Sequence, residues 1–198
     1  YYFAPEGTDR HIARSIPETG PSCNQRDNTM KSGGADIRDL SVVFDTRHGP
    51  VTAVDGINLT IEPGERTALL GESGCGKSVL ALTMMNLLPR NARVEGSVTV
   101  DGVSVTDCGE AHRIRGNVVS LCWSNAERFF NPVVPVGDQI VEAYTTHHRG
   151  ETAHGREKAF AFLNRLGFDD PATVFASYPF QLSGGMNQRA MIAMSIIN

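Results

Sequence analysis

Apolar and polar residues alternate through Leu40-Ser41-Val42-Val43-Phe44, the period of a strand with one buried face. A short, mostly apolar run, Arg66-Thr67-Ala68-Leu69-Leu70, predicts a buried strand, and Pro63-Gly64-Glu65 is the turn before it. The pattern then changes period. Val79 to Leu88 predicts a helix stopped by Pro89. Val136 to His147 carries Val136, Ile140, Val141 and Tyr144 at helical spacing. Glu157 to Leu166 repeats the spacing with Ala159, Phe160, Phe162, Leu163 and Leu166, and ends at Gly167. A last apolar helix is expected from Gln188 to Ile197. Tyr1 to Thr29 shows no sustained period and is rich in proline, glycine and polar residues, which predicts loop or disorder. Met30 is the expected natural start, with 1–29 a non-native or linker extension.

Between the second expected strand and its helix lies Gly71-Glu72-Ser73-Gly74-Cys75-Gly76-Lys77-Ser78, a match to the phosphate-binding pattern G-x-x-x-x-G-K-[ST]. The chemistry follows from the residue types. Glycines at 71, 74 and 76 allow torsions a Cβ forbids and let the backbone approach a phosphate. Successive N–H groups form an anion nest, and the helix adds its positive N-terminal end. Lys77 is expected on the β- and γ-phosphates of a nucleotide, and the Ser78 hydroxyl on Mg2+. A P-loop alone does not separate kinases, GTPases, motors and transport ATPases.

A second segment narrows the choice. Leu182-Ser183-Gly184-Gly185-Met186-Asn187-Gln188-Arg189 closely resembles the LSGGQ signature of ABC-type ATPases. Ser183, Gly184 and Gly185 offer a hydroxyl and free N–H groups at a helix start, which suits a phosphate. The resemblance implies that Leu182, Ser183, Gly184, Gly185, Met186 and Gln188 face the nucleotide held by the other subunit of a head-to-tail dimer. It also implies ATP and Mg2+ as ligands, with Phe44 stacked on adenine and the loop from Gly71 to Val79 around the phosphates. Val51 to Ile61 resembles the family's second and third strands. Val94 to Gly102 resembles its β-hairpin, with Asp101-Gly102 as the turn. The fold so implied is α/β: a P-loop NTPase core with an N-terminal antiparallel β subdomain and a helical insertion. The nucleotide-binding domain covers 30–198 and its helical subdomain about 125–185.

The flanks of both motifs, with Asn131-Pro132-Val133 and Val136-Gly137-Asp138-Gln139-Ile140, look like the oligopeptide, dipeptide and nickel importer branch. Two positions depart from it. The expected strand ending near Leu121-Cys122-Trp123 leads to Ser124, where the family has a glutamine that touches Mg2+ and the attacking water. Asn187 stands where the branch often has arginine. The family's Walker B strand and switch histidine follow the signature helix, and this sequence stops at Asn198. The stretch is therefore expected to lack the C-terminal part of the core and to be inactive alone, with no confirmed catalytic residue.

Composition fits this picture. Hydrophobic residues make up 40% of the chain, enough for a core, and no run of about 18 apolar residues predicts a membrane span. A net charge of −4 gives no support for nucleic-acid binding. Cys23, Cys75, Cys108 and Cys122 are far apart, which predicts reduced thiols rather than a zinc site, and His147, His148 and His154 are expected on helix surfaces. The resemblance implies an ATP-binding importer subunit peripheral to the cytoplasmic face of the membrane. Its partners would be a second ATPase subunit and permease subunits, with Phe129, Phe130 and Val133 as permease contacts. The alternatives are an ABC module with weak or no hydrolysis, suggested by Ser124, and a non-transport ABC ATPase.

Overall fold

The computed structural model describes residues 33–106 and 111–198. The expectations for 1–29, Met30, Cys23 and Cys108 lie outside the described residues. Two compact units divide the chain, one ending at Ile114 and one running from Arg115 to Asn198.

The first unit is built on an antiparallel sheet. Its strands are β1 (Ala35–Thr46), β2 (Gly49–Ile61), β3 (Ala92–Val100) and β4 (Val103–Ser104), in the order β2-β1-β3-β4. β1 is central: Ile37 pairs with Leu59 on one side and Val98 on the other, and Phe44 with Val51 and Ala92. Alternation, reset by an irregularity at Asp39 (φ 47°), places Ile37, Leu40, Val42 and Val98 in the core. The predicted second and third strands are one bent strand, β2, whose register against β1 shifts between Leu40 and Val43. The β3–β4 turn is the expected one. Asp101 (φ 51°) and Gly102 (φ 75°) are both left-handed, as a two-residue hairpin turn requires.

Helix α1 spans Lys77–Met84, shorter than the predicted 79–88. Asn86 ends it early by adopting φ 50°. The Leu87 N–H then reaches the Leu82 carbonyl and the Asn86 N–H the Thr83 carbonyl, a Schellman closure that satisfies the last turn without Pro89. A short helix, α2 (Ala111–Ile114), closes the unit.

One expectation fails here. Residues 65–70 form no strand, and Leu70 is 80% exposed. An apolar run becomes a strand only when a neighbour completes its ladder of hydrogen bonds, and no described strand pairs with this one. The strand expected to end at Trp123 is missing for the same reason: the stretch holds only a single bridge, Arg115 to Val119.

The second unit is helical: α3 (Val136–Thr145), α4 (Thr152–Arg165), α5 (Pro171–Ala176) and α6 (Gly184–Ser195), with 3-10 turns at Ala126–Arg128 and Pro179–Gln181. The predicted stripe of α3 is the buried one: Val136, Ile140, Val141 and Tyr144 pack with Leu163, Phe175 and Met191. α4 begins earlier than predicted, and Gly155 in its first turns lets the Tyr144 ring lie against the helix, where a Cβ would come within 2.7 Å of the ring. α5 is opened by Asp170, which accepts from the Ala172 and Thr173 N–H groups, with Pro171 at the first helical position. These bonds, with the Thr173 hydroxyl first among them, hold the Asp170 carboxyl below its ordinary value.

Candidate functional site

The loop from Gly71 to Ser78 turns from the 65–70 segment into α1 through two left-handed glycines, Gly74 (φ 86°) and Gly76 (φ 95°). Gly76 is the residue before the helix, so no side chain caps the N-terminus. The N–H groups of Lys77, Ser78 and Val79 therefore lack both an intrahelical acceptor and a capping oxygen. Close packing fixes the loop. A Cβ on Gly76 would lie 2.5 Å from the Ala53 carbonyl oxygen of β2, and one on Gly71 would lie 2.6 Å from the Cys75 sulphur.

Lys77 folds back over this loop. Its Nζ donates to the carbonyls of Gly71 at 2.8 Å and Glu72 at 2.5 Å, and lies 3.4 Å from the Cys75 Sγ. The ammonium is thus held beside the uncapped helix start by acceptors of the same loop. Glu72, Ser73, Gly74 and Ser78 are exposed, and Cys75, Gly76 and Val79 half-buried. The set can take a phosphate: the helix start is uncapped, one cation is fixed beside it, and no Cβ narrows the approach at Gly74. Phe44 is half-buried two residues before the end of β1.

The second motif lies in the helical unit. Ser183 caps α6, its Oγ accepting from the Met186 N–H at 3.3 Å. The hydroxyl is therefore engaged in the helix start rather than standing free, while Ser183, Gly184 and Gly185 are all exposed. Nothing lies within 4 Å of a Cβ position on Gly185. On Gly184 that position lies 3.4 Å from the Glu127 Oε1, so a carboxylate from the Ala126–Arg128 turn flanks this helix start. Leu182 is buried, and Met186 and Gln188 half-buried, so the motif is anchored at both ends.

Ser124 is exposed in the turn before Ala126. Trp123 stacks on Phe129 with ring centroids 4.5 Å apart, and Phe129 and Val133 are exposed. Phe130 is not: it is 3% exposed and belongs to the core with Ala126 and Leu182, which removes it from the expected contact surface. Packing decides this: Phe130 follows the 3-10 turn and joins Ala126 and Leu182 in the core, while Phe129 stacks outside on Trp123. Among the described residues no three His, Cys, Asp or Glu side chains gather as a metal would need. No helix among them is long and apolar enough to cross a membrane.

Two buried amides shape the exposed loops; the sequence reading marked Asn187 only as a departure from the branch pattern and gave Gln139 no role of its own. Gln139 sits on the buried face of α3. Its Nε2 donates to the carbonyls of Asn131 and Val134, and its Oε1 accepts from the Asn131 N–H, which fixes the loop that displays Val133. Asn187 does the same work in α6, with its Nδ2 on the carbonyls of Pro179 at 2.8 Å and Leu182 at 3.4 Å. The available signal was position: each amide falls on the apolar stripe of its helix.

Comparison with known proteins agrees with these motifs. Residues 54–198 match the family model described as ABC transporter. The chain is 39% identical over 166 residues to an oligopeptide transport ATP-binding protein of Mycobacterium tuberculosis, covering 82% of this chain and 27% of that one. It is 34% identical to an oligopeptide transport ATP-binding protein of Bacillus subtilis, covering 81% and 50%. The chain thus spans between about a quarter and half of the length of these curated relatives. Among solved structures, a dimeric ATP-binding cassette bound to ADP and Pi aligns with a TM-score of 0.72 at 22% identity, covering 83% of this chain and 69% of that one. At that identity the likeness speaks for the fold.

Proposed function

We propose that this chain, which belongs to the ABC transporter family, is part of the ATP-binding subunit of a peptide importer. The observation that carries the proposal is the loop before α1: an uncapped helix start behind two left-handed glycines, with Lys77 held among its carbonyls. The relatives, which are peptide and oligopeptide transport ATP-binding proteins by name, support the cargo class.

The residues take the following parts. The N–H groups from Gly74 to Val79 receive the phosphates of ATP, and Lys77 exchanges its loop carbonyls for phosphate oxygens. Ser78, exposed at the second position of α1, is the protein ligand for Mg2+, which would neutralise phosphate charge. Phe44 packs on the base. In the second unit, Ser183, Gly184 and Gly185 meet the nucleotide held by another copy or a related subunit. The exposed Phe129 and Val133 meet a permease at the cytoplasmic face of the membrane. Domain limits follow the same reading, with 30–198 in the nucleotide-binding domain and about 125–185 its helical part.

The test is ATP binding and turnover by the full-length protein, unsubstituted and as Lys77→Ala. Charge-assisted hydrogen bonds are each worth about 1.5–3 kcal/mol, so the substitution is expected to weaken ATP binding by roughly 10- to 150-fold. Equal ATP affinity in the two proteins refutes the assignment. Binding that depends on Lys77 but leads to no turnover selects the alternative of a nucleotide-binding module, for which the serine at position 124 is the motivating observation.

A further inference from the structure

Asn187 is completely buried, on a helix whose buried neighbours Ala190, Met191 and Ala193 are apolar. Its orientation is fixed by its partners. Pro179 and Leu182 both present carbonyl oxygens, so the amide must face them with its NH2 end. The other end is left over: among the described residues nothing donates to Oδ1. A buried acceptor without a donor is a standing cost that an apolar residue of the same shape would not incur. The donor end is therefore the part with work to do, and its two acceptors say what the work is.

Those acceptors bracket the approach to α6. Pro179 opens the 3-10 turn Pro179–Gln181, and Leu182 is the residue before the Ser183 cap. The turn is closed on itself by the Gln181 Oε1, which accepts from the Tyr178 N–H at 2.8 Å. Among the described residues Ser183 is tied to the helix that follows it, its Oγ accepting from the Met186 N–H and its carbonyl from the Asn187 N–H. Asn187 links the two pieces: one side chain, rooted in the first turn of α6, holds the carbonyls on both sides of the turn. Tyr178 and Phe180 are exposed, while Pro179 and Leu182 are buried, so packing seats the two residues and the amide bonds fix the direction of their carbonyls.

We propose that Asn187 is the positioning residue of the 178–185 segment, setting the direction in which Ser183, Gly184 and Gly185 are presented. Its consequence for turnover rests on the function proposed above. The segment would act on a nucleotide bound elsewhere, so Asn187 is expected to govern the rate of reaction and not the affinity of the P-loop for ATP.

The experiment uses the full-length protein with Asn187→Leu and Asn187→Asp. Asn187→Leu keeps the branched shape, with bulkier methyl groups, and removes the donor. It is expected to bind MgATP as the unsubstituted protein does and to turn over at least tenfold more slowly at saturating ATP. Asn187→Asp sets a carboxylate against two carbonyl oxygens, and only the protonated acid can donate to one of them. Its turnover relative to the unsubstituted protein is expected to rise as pH falls, a rescue that loss of packing alone does not produce. Hydrogen exchange without nucleotide gives a reading independent of ATPase chemistry: faster exchange confined to 178–187 in Asn187→Leu, with α3 and α4 unchanged. Normal turnover in both variants, or the unsubstituted pH profile in Asn187→Asp, overturns the proposal. So does uniformly faster exchange across the helical unit, which reduces Asn187 to a part of the core. An unsubstituted protein that binds no ATP refutes the function proposed above, and the exchange pattern then decides the positioning role alone.

Discussion

Gly74 and Gly76 allow the packing of the phosphate loop to be separated from its backbone strain. Both are left-handed, at φ 86° and 95°. An alanine at either carries the left-handed penalty of about 1–2 kcal/mol, reduced by roughly 0.4–1 kcal/mol because alanine also restricts the unfolded chain. At Gly74 that is all, since nothing lies within 4 Å of the new Cβ. At Gly76 the Cβ would sit 2.5 Å from the Ala53 carbonyl oxygen and 3.3 Å from the Val54 Cγ2. The carbonyl belongs to β2 and cannot swing aside as a side-chain tip can. Forcing such an overlap costs typically about 1–3 kcal/mol more. Local opening of α1 is read from hydrogen exchange of a peptide spanning 77–88, where each tenfold loss of protection is about 1.4 kcal/mol. Gly74→Ala is expected to lower protection by about fifteenfold or less, and Gly76→Ala by a further factor of roughly 5 to 150. Equal losses in the two variants would refute the reasoning, because they would mean the loop is not seated on β2.

Gly185→Ala is expected to separate stability from function. The site is open and lies in the first turn of α6, so alanine should raise the unfolding free energy of the helical unit by up to about 1 kcal/mol in urea titration. Its methyl group would face the proposed phosphate approach, and ATP turnover of the full-length protein should fall; a variant with unchanged turnover argues against that approach. Asp170 supplies a pH test. Its folded carboxyl is held low, so its contribution to α5 is present above the ordinary value near 3.8 and is lost as pH falls through the lower, folded value. Asp170→Asn should flatten this acid limb in thermal unfolding between pH 5 and 2 without altering the neutral-to-alkaline side; an unchanged acid limb counts against the cap.

What the sequence made legible was local. The alternation at Leu40–Phe44, the helical stripe of Val136, Ile140, Val141 and Tyr144, and the Asp101-Gly102 turn all depend on near neighbours, and each appears as expected. Both glycine motifs were visible because their residue types stand at fixed spacing before a helix. The failures share one cause: a distant partner. Thr67 to Leu70 has the composition of a buried strand, but a ladder needs a second strand, and none is described beside it. Phe129 and Phe130 are identical in kind, and only the packing of Ala126 and Leu182 decides that the second is buried. Gln139 looked like an ordinary polar residue of a helix and Asn187 like a mere departure from the branch pattern, because the carbonyls they hold lie eight residues away or in an irregular loop.

On the proposed function, the folded-back Lys77 would make phosphate capture a trade of partners. Its ammonium already has two carbonyl oxygens and a sulphur nearby, so a phosphate must displace contacts of similar kind before any new ones count. The heat released on binding is then a small difference between two sets of bonds. The gain comes from the charge of the incoming group, which carbonyls lack, so affinity at this loop should respond to ionic strength far more than to temperature.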